Sequence, residues 1–293
     1  MASTIKEAES SNKAKVSILT SVAGTLLVTL AGRAQDAAKA TNDPTRLLGD
    51  TWAQSTLDRL DYTAAPTSTS QTIYAVVLLR SRLFDVWTSE FLAAHPGEDV
   101  IVLNLACGLD SRALRLDWTS GRRNTTWIDV DLPEVVDLRR QVMPAPERGD
   151  YRLLVASVTG ENWLDDLPAD RPTLIIAEGL LSFLQPTDVQ LLFQRICDRF
   201  PSGQIMCDVN GVWYKRLQVL NRDIQKTGAG VHFTSEYVAD MEVFHEKLKA
   251  RDELRLWYIP GVEVLPFRLR ALMWILSWMP GLNRIGSEYR FDF

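Results

Sequence analysis

The sequence predicts an α/β fold: a doubly wound, mostly parallel Rossmann-like sheet with a helical N-terminal cap and a C-terminal antiparallel strand. Three observations carry that reading. Five short apolar runs follow Pro96-Gly97, at Val100–Leu105, Thr125–Val130, Arg152–Ala156, Thr173–Ala177 and Gln204–Val209. Stretches of helical periodicity separate them, and strands alternating with helices build a parallel sheet covered on both faces. Ahead of Pro96 the pattern is helical almost throughout, which supplies the cap.

In chain order, residues 1–13 are polar and expected to be disordered. Residues 14–293 are expected to form one domain, with a cap (14–97), a core (98–210) and an extension (211–293). Lys13 and Lys15 precede an apolar run from Val16 to Ala31 that superficially resembles a secretory signal. Ser17, Thr20, Ser21, Thr25 and Thr29 interrupt it, however, and it is too short to span a membrane. Leu19, Val22, Leu26 and Leu30 recur at helical spacing, so an amphipathic helix is the better reading. Asn42-Asp43-Pro44 has the form of a helix start, and another helix is expected from Gln71 to Ala94. Within the core, Pro133 and Pro186 stand where crossover helices should begin. Past residue 210 the pattern predicts helix, then a strand at Leu254–Tyr258, and a closing strand at Tyr289–Phe293.

Composition narrows the partners. Hydrophobic residues make up 46% of the chain and charged residues 24%, as in ordinary globular proteins. A net charge of −5 with no Lys/Arg-rich block argues against nucleic acid, which requires a concentrated basic face. Cys107, Cys197 and Cys207 are sparse and odd in number. Such a set suits a reducing, cytoplasmic setting and offers neither a zinc spacing nor a disulfide framework.

In an open α/β sheet, ligands bind beyond the carboxyl ends of the strands. The first strand ends in Asn104-Leu105-Ala106-Cys107-Gly108-Leu109-Asp110-Ser111-Arg112. Small residues there let a ligand approach the backbone, and Gly108 permits a tight turn into a helix. An ordinary strand-to-helix turn would read the same way. Asp129 and Asp131 close the second strand, placed to accept hydrogen bonds from ribose hydroxyls. Alternation sends both to the same side, so either serves, or one caps the helix at Pro133. A nucleoside ligand follows, but the pattern does not choose between a nicotinamide dinucleotide and S-adenosylmethionine. Against the dinucleotide, the G-x-G-x-x-G fingerprint is absent.

Arg80 falls within the apolar stripe formed by Ile73, Val76, Val77, Phe84, Trp87 and Phe91, whereas Arg82 points to the opposite side. A guanidinium on a buried face needs an anionic partner, either a ligand carboxylate or a carboxylate of the protein itself. Glu178 closes the fourth strand, where it can hold a ligand ammonium or face a helix dipole.

Together these residues resemble the leucine carboxyl methyltransferase-like family, including its tetracenomycin-type polyketide O-methyltransferase branch. That family carries R-T-R-x-x-D, L-G-A-G-L-D-T-R, E-V-D-L-P and E-G-L-L-x-Y-L. Here the four read Arg80 to Asp85, Leu105 to Arg112, Asp129 to Pro133 and Glu178 to Leu184, in the same order, with Ser157-Val158 and Trp163 between the last two. The resemblance covers most of residues 17–210. It implies a class I methyltransferase fold, S-adenosylmethionine as cofactor and a small acidic or aromatic acceptor. Arg80 would bind the methionine carboxylate, Ala106 and Gly108 would line the turn, and Asp131 would take the ribose. Ser157 and Val158 would border the adenine, and Glu178 would sit near the methionyl end. Phe183, at a family tyrosine position, would lie near the acceptor, with residues 211–293 on the acceptor side. Three departures matter: Ala106 replaces the family's first turn glycine, Ser157 an aspartate, and Phe183 the tyrosine.

Whether methyl transfer needs a base depends on the acceptor, since a carboxylate is already ionised at neutral pH and a phenol is not. Of the three histidines, His95 is expected at the wrong edge of the sheet and His245 on an exposed helix face. His232, ahead of a helix start at Thr234-Ser235, is the remaining candidate base. The shortage of bases favours a carboxylate, with a phenol or enol next. Rival readings are a protein C-terminal carboxyl methyltransferase and a methyltransferase fold repurposed for binding. Finally, Val264–Met279 is rich in leucine and tryptophan, with Arg268 and Arg270 interleaved. It is expected to be an amphipathic helix packed on the core, ahead of an acceptor lid or a membrane contact.

Overall fold

A computed structural model describes residues 13–16, 25–62, 68–121, 125–218 and 230–293. The expected tail therefore lies almost wholly outside the described residues, as do Leu19 and Val22. Among the described residues the cap holds α1 (Thr25–Ala37), α2 (Thr51–Asp58) and the long α3 (Ser68–Ala94). The alternating core follows: β1 (Ile101–Leu105), β2 (Thr126–Asp131), α4 (Pro133–Val142), β3 (Asp150–Val155), β4 (Thr173–Ala177), α5 (Pro186–Arg199) and β5 (Gly203–Asn210). The extension contributes α6 (Val212–Gln218), β6 (Lys249–Arg255), α7 (Phe267–Trp278) and β7 (Gly286–Asp292).

The strands form one sheet in the order β3-β2-β1-β4-β5-β7-β6. The first five are parallel, and β7 runs antiparallel to both β5 and β6, so the expected fold class is the observed one. β1, β2 and β4 are buried along their whole length, and β1 and β4 accordingly read as largely apolar runs. One sheet face, with Ile128, Ile175, Ile205 and Phe291, packs under Leu192, Phe193 and Ile196 of α5. The other, with Val102, Trp127, Ile176 and Met206, packs under Leu79, Phe84, Trp87 and Phe91 of α3. Pro133 and Pro186 each open their helix, where a missing amide costs nothing. Because β2 leaves β1 on one side and β4 joins it on the other, the carboxyl ends of β1 and β4 flank the switch point.

Several local expectations are corrected. No helix begins at Asn42-Asp43-Pro44; the Asp43 carboxylate instead accepts from the amide and hydroxyl of Thr45, closing a turn. Buried Asp36 then takes the amides of Leu47, Leu48 and Gly49, holding that stretch open until Asp50 caps α2 at Trp52. Leu254–Tyr258 is not a strand over its length. β6 ends at Arg255, and Leu256–Tyr258 is a 3-10 turn that buries Leu256. Nor does a helix start at Thr234-Ser235. The Ser235 amide bonds Asn210 and its hydroxyl bonds the Tyr237 carbonyl, keeping the segment extended. His245 lies in a turn, its ring bonded to Asp198, and not on an exposed helix face.

The C-terminal helix departs most. In α7 only Met273 and Ser277 are fully buried, while Phe267, Leu272, Trp274, Ile275 and Trp278 are exposed. Among the described residues no helix is long and apolar enough to cross a membrane.

Candidate active site

The loop after β1 is shaped by backbone conformation and anchored from two sides. Ala106 has φ 48°, the one non-glycine residue with positive φ among the described residues, and Gly108 follows with φ 52°. From the end of β2, the Asp131 carboxylate accepts the Gly108 amide at 2.7 Å. From α4, Arg139 donates to the carbonyls of Gly108 and Asp110 at 3.0 and 2.7 Å.

Lone-pair counting separates the two aspartates. A carboxylate has about four acceptor sites. Asp129, fully buried, fills them with Asn104, Trp127, Arg139 and the Tyr151 hydroxyl. Its neighbour Asp131 accepts only the amides of Gly108 and Leu132, which leaves capacity for a ligand. Burial pushes Asp131 above its ordinary value, against the pull of those two amides. Asp129 thus orients Arg139 and, through it, the loop, and neither aspartate caps α4 with its side chain.

On the β4 side, Arg80 reaches in from α3 and Arg82 points outward, as the helical spacing predicts. The Arg80 guanidinium donates through Nε to Glu178 at 3.1 Å and through Nη1 to Asp208 at 2.8 Å. Its protein partners are therefore real. Nη2 makes no hydrogen bond among the described residues, and it stands 3.4 Å from where a Cβ on Gly179 would be. Glu178 accepts Arg80 and the Ser81 hydroxyl on one oxygen, and Arg112 at 2.7 Å on the other. Burial alone would raise the Glu178 pKa, but Arg112 and Arg80 outweigh it and hold the carboxyl below its ordinary value. Because Arg112 follows the β1 loop, Glu178 ties the two strand ends of the switch point together.

Ser157 is exposed beyond β3 with its hydroxyl 2.8 Å from that of Thr159, and Val158 is buried beneath it. Phe183 sits half-buried in a single 3-10 turn after β4. His232 is exposed, but its amide donates to the Ser182 carbonyl at 2.8 Å, which places it beside Phe183. His95 stays at the far end of α3, bonded to the Phe91 carbonyl.

The model of the leucine carboxyl methyltransferase family matches residues 27–197, more than half of the chain. The chain belongs to the leucine carboxyl methyltransferase family. It is 41% identical over 211 residues to the tetracenomycin polyketide synthesis O-methyltransferase TcmP of Streptomyces glaucescens, covering 72% of this chain and 74% of that one. To the S-adenosyl-L-methionine-dependent methyltransferase dpfgK of Gibberella zeae it is 32% identical, across 96% of this chain and 98% of its relative. Among solved structures, a DUF574 family protein from Streptomyces avermitilis superposes with a TM-score of 0.54 at 12% identity, covering 89% of this chain and 96% of that one. A putative methyltransferase from Thermobifida fusca gives 0.51 at 14%, covering 89% and 93%. Those two likenesses show the fold.

Within the leucine carboxyl methyltransferase family fold, the residues present fit a sulfonium nucleoside. Arg80 Nη2 is available for a carboxylate, the second Glu178 oxygen retains a lone pair for an ammonium, and Asp131 retains two for ribose hydroxyls. Gly179, at φ 68°, keeps a side chain away from Arg80 Nη2.

Sequence reasoning missed the ion-pair lattice behind this pocket. Arg112, 1% exposed, joins Asp85 at 2.6 Å, Asp110 at 2.7 Å and Glu178 at 2.7 Å. Arg115 pairs Asp85 and Asp110 again, and Arg33 pairs Asp50. Asp208 and Glu288, directly opposite each other on β5 and β7, were also missed. Asp85, Asp110 and Arg112 stand inside the motifs quoted above, and their regular placement was the signal available. Nothing in the apolar pattern marks Asp208 or Glu288.

Proposed function

We propose that this protein methylates an oxygen of a small acidic natural product, a carboxylate ahead of a phenol or enol, in polyketide-type metabolism. Methyl transfer dependent on S-adenosylmethionine follows from family membership, and that cofactor supplies an electrophilic methyl group on a sulfonium. The observation that carries the reading is the joining of Arg80, Glu178 and the Ala106–Gly108 turn at one sheet edge. Arg80 and Glu178 would hold the amino-acid end, Asp131 the ribose, and Ser157 with Val158 would border the base. These residues would hold the cofactor at both polar ends, so that their contribution to methyl transfer would lie in positioning and exclusion of water.

Phe183 and His232 support the acceptor side. An ionised carboxylate loses no proton in the reaction, so His232 is dispensable for it. A phenol would require a base, and His232 is the histidine at this edge. The name of the tetracenomycin relative supports a polyketide-derived acceptor. Three buried, free cysteines support a cytoplasmic setting.

Calorimetry with S-adenosylmethionine tests the pocket. Arg80→Ala should weaken binding by roughly a hundredfold, the cost of removing one partner of a charge-assisted pair, and Arg82→Ala should leave it unchanged. Equal effects, or no binding to the wild type, would refute the assignment. Incubation with methyl-labelled cofactor and a panel of aromatic acids and phenols then identifies the acceptor. A His232→Gln variant that loses all turnover of carboxylic acids would count against the carboxylate reading.

A further inference from the structure

The outer face of α7 is the most apolar exposed surface among the described residues, and the methyl-transfer site makes no use of it. Phe267, Trp274 and Trp278 are 74%, 65% and 73% exposed, with Leu272, Ile275 and Met279 beside them. At about 100° per residue, Phe267, Ala271, Trp274, Ile275 and Trp278 share the side turned away from buried Met273 and Ser277. The Trp274 and Trp278 rings touch each other, with centroids 5.8 Å apart. Arg270 stands at one edge of this arc and Arg268 toward the other.

Charge selects the occupant. The chain as a whole is acidic, yet from Val264 to Ser287 its charged residues are Arg268, Arg270 and Arg284, and the acid just before them, Glu263, accepts the Gly261 amide. Arg284 is bound to Glu253, but Arg268 and Arg270 are exposed, and Arg270 donates to a carbonyl, not a carboxylate. A second copy docked face to face would bring no acid from this segment to meet those arginines. A surface of anionic headgroups would meet them, and an apolar centre with tryptophans and flanking arginines is the pattern of a helix lying in a bilayer interface.

The neighbouring helix extends the face. Trp213 of α6 packs against Gly281, where any Cβ would stand 1.9 Å from its Nε1. Leu217 is exposed on the same helix, and Lys215 and Arg216 add two more cations. We propose that α7, extended by Trp213 and Leu217, seats this protein on the surface of an anionic lipid bilayer. This inference does not depend on which oxygen is methylated.

Cosedimentation of the full-length protein with vesicles tests it, using phosphatidylcholine alone and phosphatidylcholine mixed with phosphatidylglycerol. The wild type should pellet with the mixed vesicles and far less with phosphatidylcholine alone. Trp274→Ser combined with Trp278→Ser should abolish pelleting, while thermal stability and S-adenosylmethionine affinity stay at wild-type values. Arg268→Gln with Arg270→Gln should lower affinity for the mixed vesicles by roughly thirtyfold, since each of the two interfacial arginines contributes about 1 kcal/mol. Absence of pelleting, or equal pelleting of the tryptophan variant, overturns the proposal. So does a dimer in sedimentation velocity that the tryptophan substitutions dissolve, because the occupant would then be a second copy.

Discussion

At the scale of single residues, Ala106 shows how one methyl group sets both strain and fit. Its φ of 48° is a conformation that glycine adopts freely and alanine adopts at a cost of about 1–2 kcal/mol. Glycine in turn loses more entropy on folding, by about 0.5–1 kcal/mol. The two effects nearly offset, and relief of strain is the larger. Ala106→Gly is therefore expected to leave stability unchanged or raise it by up to about 1 kcal/mol, and to tighten S-adenosylmethionine binding by opening the turn. Urea unfolding and calorimetry read the two effects separately. A variant that loses more than about 1 kcal/mol would show that no strain is stored there. The aspartates of β2 carry a second lesson. Spacing put Asp129 and Asp131 on one side of the strand but did not rank them. Hydrogen-bond capacity ranks them, since Asp129 is filled by four protein donors 2, 10, 22 and 25 residues away in sequence.

At the scale of elements, what could be read from the sequence depended on how each element is buried. β1 and β4 are covered on both faces and stand out as largely apolar runs, and α3 shows a helical stripe because one face lies on the sheet. β6 is an edge strand reading Lys-Ala-Arg-Asp-Glu-Leu-Arg, so its polar sequence hid it, and the apolar Leu256–Tyr258 turn drew the expectation downstream. The start of α2 was hidden for a different reason. Asp43 and Asp50 both have the chemistry of a cap, and only contacts with distant residues decide between them. Asp50 receives the Trp52 amide at 3.1 Å, Arg33 at 2.8 Å and the Ser111 hydroxyl at 2.6 Å. It therefore caps α2 and fastens the cap to the loop after β1. Asp50→Ala removes a cap worth about 1 kcal/mol and strips buried Arg33 of its nearer carboxylate, with Asp110 left at 3.9 Å, a loss of up to about 3 kcal/mol. Asp50→Asn keeps the capping oxygen and should cost clearly less. Thermal unfolding of the two variants checks that order, and equal losses would mean that charge contributes nothing beyond the cap.

At the scale of the whole molecule, the fold stores charge in its interior, and that makes its stability depend on pH in two opposing ways. The switch-point residues Arg80 and Glu178 are 98 positions apart in sequence, so only the closed sheet brings the lattice together. Asp110 would be raised by burial, but Arg112, Arg115 and Arg33 outweigh it and hold it well below the carboxylate range. An acid depressed by the fold stabilises above its unfolded pKa, and that contribution disappears as pH falls through the folded value. Glu288 behaves in the opposite sense. It is 3% exposed, one of its oxygens has no hydrogen-bond partner, and burial followed by the facing Asp208 pushes it well above its ordinary value. The folded chain keeps this proton where the unfolded chain releases it, so stability falls as pH rises above about 4.5, the unfolded value near that of a free glutamate. Glu288→Gln keeps the shape and removes the titration. It should match the wild type near pH 4 and exceed it at pH 8 by at least about 1 kcal/mol. Urea unfolding across that range decides the matter: parallel profiles for the two proteins would show that Glu288 ionises as freely in the fold as outside it.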